Sequence, residues 1–172
     1  YAQAYFAYDS KKSGGLTVSH LRFGDTPIRS TYQIDAADFI ACHNQAYVTA
    51  YDMVSSLRDG GTFLLNCQWA ESELDAHAKF YIINAVKLAA QVGMGNRINT
   101  IMQAAFFKLA DIIPYEKADE YMKAYAKKTY GKKGDAVVQK NWDAIDIAIS
   151  GLREVKVPAE WANATTGAVA MQ

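Results

Sequence analysis

The residues with the most evident capacity for chemistry lie in Ser10-Lys11-Lys12-Ser13-Gly14-Gly15, inside the stretch "YDSKKSGGLTVSHLRFG". Glycines admit positive φ, so backbone N–H groups can converge on an anion, and two lysines add point charges suited to phosphate. The GxxxxGK[ST] spacing of a phosphate-binding P-loop is absent. On the residues alone, a solvated turn between two strands and a phosphate cradle both stand open. His20 and Arg22 follow two residues apart on one strand face. They suit an acidic ligand or, with satisfied hydrogen bonds, an interdomain or subunit surface.

Other candidates carry weaker patterns. "GMGNR" (93–97) is part of a dinucleotide-type glycine pattern without its third glycine, and it follows a helical run. It reads as a helix-to-helix turn with Asn96 capping the next helix. "ACHN" (41–44) ends a strand, where open α/β sheets collect ligands. Cys42 and His43 are adjacent, so they point to opposite faces and make a poor catalytic pair. His77 lies in a polar segment and reads as exposed. "KKTYGKKG" (127–134) carries four lysines and reads as a solvated helix end, with a surface for an acidic partner as the alternative. Two distant cysteines, Cys42 and Cys67, and three scattered histidines make no tetrahedral metal set. The cysteines read as buried thiols. No Ser–His–Asp set stands out, so no catalytic residue is assigned.

These residues must be positioned by the elements around them. The chain has 172 residues, which suits one domain. It is 51% hydrophobic and 21% charged, with 18 basic and 18 acidic residues. A balanced charge argues against a general nucleic-acid binder. No apolar run approaches the roughly 18 residues of a membrane-spanning helix, and no signal peptide opens the chain. A cytoplasmic location is expected, and the glycosylation sequon at Asn163 is discounted. The chain opens at Tyr1 directly in a strand-like run, as a piece of something longer would.

Alternation predicts strands over 2–8 and 16–23. Nearly continuous apolar runs over 38–43, 62–67 and 79–84 read as strands covered on both faces. Helical spacing predicts a helix over 44–59, capped by Asn44 and ended by Gly60-Gly61, then a short helical connection before 79 and a helix after 84. Beyond Gly95 the chain reads as three amphipathic helices, the first two separated by Pro114 and the second closed by Gly131. The expected architecture is α/β: three layers, α/β/α, with a mostly parallel central sheet and a helix-rich C-terminal half. Residues 158–172 read as a linker toward a following domain.

In "YAQAYFAYDSKKSGGLTVSHLRFG" the chain resembles the gamma-type domain of the pyruvate:ferredoxin (flavodoxin) oxidoreductase family. The resemblance continues through "ADFIACHNQAYV", "GGTFLLNCQW", "FYIINAVKLA", "GNRINTIMQAAFFKLADIIP", "YGKKG" and "VPAEWAN", in order over nearly the whole chain. More distant gamma subunits of 2-oxoacid oxidoreductases are similar mainly around Ser13-Gly14-Gly15.

The resemblance implies a parent enzyme that decarboxylates pyruvate on thiamine diphosphate with magnesium. Electrons pass through iron–sulfur clusters to ferredoxin or flavodoxin, and the acetyl group goes to coenzyme A. The thiamine and cluster sites are implied to lie in other domains, so this chain alone holds no cofactor and is inactive. The family domain helps bind coenzyme A, which assigns Ser10, Lys11, Lys12, Ser13, Gly14 and Gly15 to its phosphates. His20 and Arg22 are assigned to an interface. The partners implied are the remaining domains or subunits of a homodimeric parent, coenzyme A, and ferredoxin or flavodoxin, with no nucleic acid and no membrane.

Two departures from the family stand out. A glycine-containing strand, loop and helix is missing ahead of Tyr1, so residues 1–157 form a gamma-type domain without its first unit. The connection from His77 to Lys79 is short. The alternatives are a purely structural interaction domain and an independent small nucleotide-binding protein.

Overall fold

A computed structural model describes residues 1–8, 16–68 and 79–156. They fall into two compact units, Tyr1–Ala37 and Asp38–Gln172. The short helical connection expected before residue 79, the connection at His77 and the linker 158–172 lie outside the described residues.

The first unit is built on a hairpin of β1 (Ala2–Tyr8) and β2 (Thr17–Phe23). The strands pair antiparallel, from Ala2 opposite Phe23 to Tyr8 opposite Thr17. Alternation gives the hairpin two faces. Gln3, Tyr5, His20 and Arg22 share one, and Ala2, Ala4, Phe6, Leu21 and Phe23 share the other. The chain after β2 is tied back to the polar face. Gln3 donates to the Ser30 carbonyl at 2.7 Å, and the backbone N–H of Ile34 donates to His20 Nδ1 at 3.1 Å.

The second unit is a four-stranded sheet in the order β3 (Ala37–Cys42), β4 (Leu57–Asn66), β5 (Lys79–Ile83), β6 (Arg153–Val155). β4 and β5 are parallel, and β6 adds an antiparallel edge. Neighbouring residues of one strand face opposite ways, and both faces are covered. Leu64 and Ile83 enter a core shared with the helices, while Phe63, Leu65, Phe80 and Ile82 enter a second core with Cys42, Cys67 and Val155. Double coverage is why "TFLLNC" and "FYII" read as unbroken apolar runs.

Four helices supply the first core: α1 (Ala85–Gln91), α2 (Asn99–Ala110), α3 (Tyr115–Tyr130) and α4 (Asp135–Ser150). Their contacts run through small side chains. Ala89, Ala104, Ala105, Ala118, Ala144 and Ala148 are each at most 1% exposed, which lets the helix axes approach closely. The buried stripe of α4 is Val138, Asn141, Ala144, Ile145 and Ala148. α3 is tied to α4 by Lys123, whose ammonium reaches Asp146 at 2.6 Å, and by Trp142, whose indole N–H donates to the Lys123 carbonyl at 3.0 Å.

The helix expected over 44–59 is not formed. Asn44 does cap, its side chain accepting from the Ala46 N–H at 3.1 Å, but only a 3-10 turn at Gln45–Tyr47 comes after it. Thr, Val, Ser and Asp make the stretch a poor helix former, and Asp52 accepts from the Ser55 N–H instead, an alternative to helical bonding. Tyr47, Met53 and Leu57 are thereby freed to pack on the second core. Gly60 and Gly61 end no helix. They lie within β4, with Gly60 at φ 75°.

Two buried contacts should dominate the stability of the second unit. Leu64→Ala, at a side chain with no exposure, should cost about 3 kcal/mol in urea unfolding. Asn66→Ala should cost about 2 kcal/mol or more, because it strands the polar groups that Asn66 satisfies at the end of β4.

Candidate functional site

The loop Ser10, Lys11, Lys12, Ser13, Gly14 and Gly15 lies outside the described residues. Its flanks are described. Tyr8 and Thr17 are paired across the hairpin, so residues 9–16 connect two adjacent strand ends.

His20 and Arg22 are both committed within the first unit. Arg22 donates to Gln3 Oε1 at 3.1 Å and to the Tyr32 carbonyl at 2.6 Å, and its guanidinium lies 4.8 Å from the Tyr32 ring centre. His20 accepts from the Ile34 backbone N–H. Together with Gln3 they hold residues 30–34 against the hairpin.

A second group of polar residues gathers where the sheet's strands end. Asn66, 8% exposed, closes β4. It donates to the His43 carbonyl at 3.0 Å and accepts from the Ala85 N–H at 3.0 Å, joining the end of β3, the end of β4 and the start of α1. Arg58 and Asp38 meet at 2.7 Å near the opposite ends of β4 and β3, so the two strands run the same way. Asn84 comes directly after β5 and caps α1, accepting from the Lys87 N–H at 2.9 Å. Gln45 accepts from the Gln68 N–H at 3.0 Å. This edge is the place where α/β sheets present ligand-binding groups.

Cys42 and His43 diverge as adjacent strand residues must. The Cys42 thiol is buried in the second core and donates to the Asn44 carbonyl at 3.1 Å, and burial pushes its pKa up, so it stays protonated. Partial desolvation draws His43, which is exposed by surface area at the end of β3, below the ordinary histidine value. Cys42 and Cys67 are both buried. Among the described residues no cluster of three or more histidines, cysteines or carboxylates could hold a metal ion.

"GMGNR" is the expected turn between helices, with Gly93 at φ 70° and Gly95 at φ 61°. Asn96 does not cap α2. The helix starts at Asn99 behind Ile98, with no side-chain cap. "KKTYGKKG" spans the end of α3 and a 3-10 turn at Gly131–Lys133. Sequence reasoning missed Asn66 and Asn84. The available signal was an asparagine closing an apolar strand run, a residue type that favours helix starts and can cap the next element.

The whole chain has clear relatives. Residues 1–151 match the family model described as pyruvate ferredoxin/flavodoxin oxidoreductase. Among curated proteins, the chain is 51% identical over 99% of its length to pyruvate:ferredoxin oxidoreductase of Moorella thermoacetica, covering 16% of that protein. It is 52% identical over 94% of its length to pyruvate-flavodoxin oxidoreductase of Klebsiella pneumoniae, covering 15% of it. The chain thus spans about one-sixth of the length of these relatives. Among solved structures, the pyruvate oxidoreductase subunit PORC of Thermotoga maritima superposes with a TM-score of 0.72, over 91% of this chain and 82% of that one, at 18% identity. The 2-oxoglutarate:ferredoxin oxidoreductase of Magnetococcus marinus, solved with 2-oxoglutarate, coenzyme A and succinyl-CoA bound, superposes with a TM-score of 0.66 over 87% of this chain and 25% of that one, at 18% identity. A family match across most of the chain, relatives at half identity and a shared fold agree: this chain belongs to the pyruvate ferredoxin/flavodoxin oxidoreductase family, as a domain of such enzymes.

Proposed function

We propose that this chain is the coenzyme A-contacting part of a larger enzyme that oxidatively decarboxylates pyruvate to acetyl-CoA and CO2. Two electrons leave that reaction for ferredoxin or flavodoxin. The observation that carries the reading is the placement of "SKKSGG" between the paired ends of β1 and β2, in a chain half identical to pyruvate oxidoreductases. Coenzyme A presents a diphosphate and a ribose phosphate. Lys11 and Lys12 supply point charges for them, and Ser13, Gly14 and Gly15 supply backbone N–H groups without side-chain obstruction.

An iron–sulfur cluster of such a parent does not fit the residues present here. It takes four thiolates. This chain has two cysteines, both buried, and burial pushes the Cys42 thiol up in pKa. In this reading the clusters belong to the rest of the parent, as do the thiamine diphosphate and magnesium that the family resemblance implies, and the parent works as a homodimer in the cytoplasm. Among the described residues no helix is long and apolar enough to cross a membrane.

A second role rests on a separate observation. The face of the hairpin opposite His20 and Arg22 is apolar and open, with Phe6 49%, Leu21 43% and Phe23 41% exposed. Such a face suits contact with other parts of the parent. In this role His20 and Arg22 act indirectly, by holding residues 30–34 on the other face of the hairpin.

The two roles separate by mutation in the full-length parent. Lys11→Ala with Lys12→Ala should raise the KM for coenzyme A roughly tenfold or more while the pyruvate KM stays put, from the loss of charge-assisted hydrogen bonds. An unchanged coenzyme A constant overturns the loop's role. Phe6→Ser with Leu21→Ser should lower the fraction of assembled dimer in sedimentation and leave both constants intact in the dimer that remains. Full assembly of that variant removes the hairpin from the interface.

A further inference from the structure

The second unit carries a recess that neither role uses. It lies between the α1–α2 turn and the corner joining α3 to α4, and its lining includes Met94, Arg97, Thr100, Tyr130, Lys133 and Asn141. Its volume is about 80 Å³, several times what one water needs. Two of the lining residues are cations and none is acidic.

Elsewhere among the described residues of the unit, two cations are paired with carboxylates. Lys123 meets Asp119 and Asp146, and Arg58 meets Asp38. Among the described residues, Arg97 and Lys133 meet no carboxylate. Arg97 spends only its Nε–H, on the Met94 carbonyl at 3.2 Å, which fixes the guanidinium beside the turn and leaves its terminal N–H groups uncommitted. Lys133 lies 5.7 Å from the Tyr130 ring centre.

A buried donor completes the set. Asn141 is 2% exposed and lines the recess. It donates one amide N–H to the Val137 carbonyl at 2.8 Å and accepts from the Thr100 hydroxyl at 3.1 Å. Both polar atoms of the side chain thus have a partner, and the amide carries a second N–H beyond the one given to Val137. The first turn of α2 adds N–H groups that no side chain caps, with no acidic residue in that turn to oppose an anion.

We propose that this recess binds a phosphate group, held by Arg97 and Lys133 as charges and by Asn141 as a buried donor. The phosphate can come from free inorganic phosphate or from a phosphorylated small molecule such as a nucleotide. The site shares no residue with the Lys11–Lys12 loop and does not depend on that loop's role.

Hydrogen exchange on the full-length parent tests it, with inorganic phosphate compared against chloride at equal ionic strength. Phosphate should slow exchange of the amides at 98–101. Arg97→Gln with Lys133→Gln should weaken that effect roughly tenfold or more. Lys127→Gln with Lys128→Gln removes the same charge from the same basic run outside the recess and should leave the effect in place. Lys11→Ala with Lys12→Ala should leave it in place as well, which separates this site from the loop. Equal exchange in phosphate and chloride, or equal loss in the Arg97/Lys133 and Lys127/Lys128 variants, overturns the proposal. Adding coenzyme A and its 3′-dephospho form identifies the source. Protection at lower concentration by coenzyme A than by phosphate assigns a nucleotide phosphate, and protection by phosphate alone assigns the free anion. Protection only by an acidic protein such as a ferredoxin, and by no phosphate, overturns it in favour of a protein-docking surface.

Discussion

Leu64 and Leu65 are successive residues of one strand, point in opposite directions and have no exposure at all. That pair states the constraint on which the second unit depends: the parallel strands β4 and β5 must be covered on both faces. One face is met by helices; on the other, Cys42, Phe63, Leu65, Phe80 and Val155 of the strands pack against Tyr47 and Met53 of the turn segment. Helix packing obeys the same demand. Alanines at the contacts between α1, α2, α3 and α4 bring the helices close enough to each other and to the sheet to exclude water, where larger side chains would hold them apart.

Covering the faces leaves only the strand ends for polar groups, and there the unit uses asparagine. Asn66 holds the end of β3 and the start of α1 with one amide, and Asn84 caps α1. Each satisfies backbone groups that the end of a strand or the start of a helix would otherwise leave unpaired. Asn141 repeats the device inside the helix layer, with its Thr100 partner at the opening of α2. The recess beside it arises from an irregularity in the same layer: a glycine turn at 93–95 and a 3-10 turn at Gly131–Lys133 leave space that regular helices would fill.

The hairpin obeys a different rule. Its polar face is consumed internally, with Gln3, His20 and Arg22 binding backbone atoms of residues 30–34. Its apolar face carries Phe6, Leu21 and Phe23 in the open. A two-stranded ribbon with one open apolar face has little stability of its own. In a chain that spans one-sixth of its relatives' length, that face is the natural place for the proposed contacts with the rest of the parent.

Much of this was legible in the residues. Unbroken apolar runs at 62–67 and 79–84 announced strands buried on both faces. A strand-like run at 2–8 and alternation at 16–23 announced β1 and β2, and helical stripes announced α2, α3 and α4. Adjacency alone separated Cys42 from His43. Local pattern failed at 44–59, where a helical stripe lost to the sheet's need for cover, and at Asn96, which stands too far ahead of α2 to cap it. The Arg97–Lys133–Asn141 recess was not legible, because its residues come from three separate elements and only the packing of α2 and α4 brings them together. Sequence by itself determined what each short stretch prefers, since periodicity and turn chemistry act between neighbours. Tertiary structure alone decided which faces were paired and where charges met without partners, because those depend on residues far apart in the chain competing for the same space.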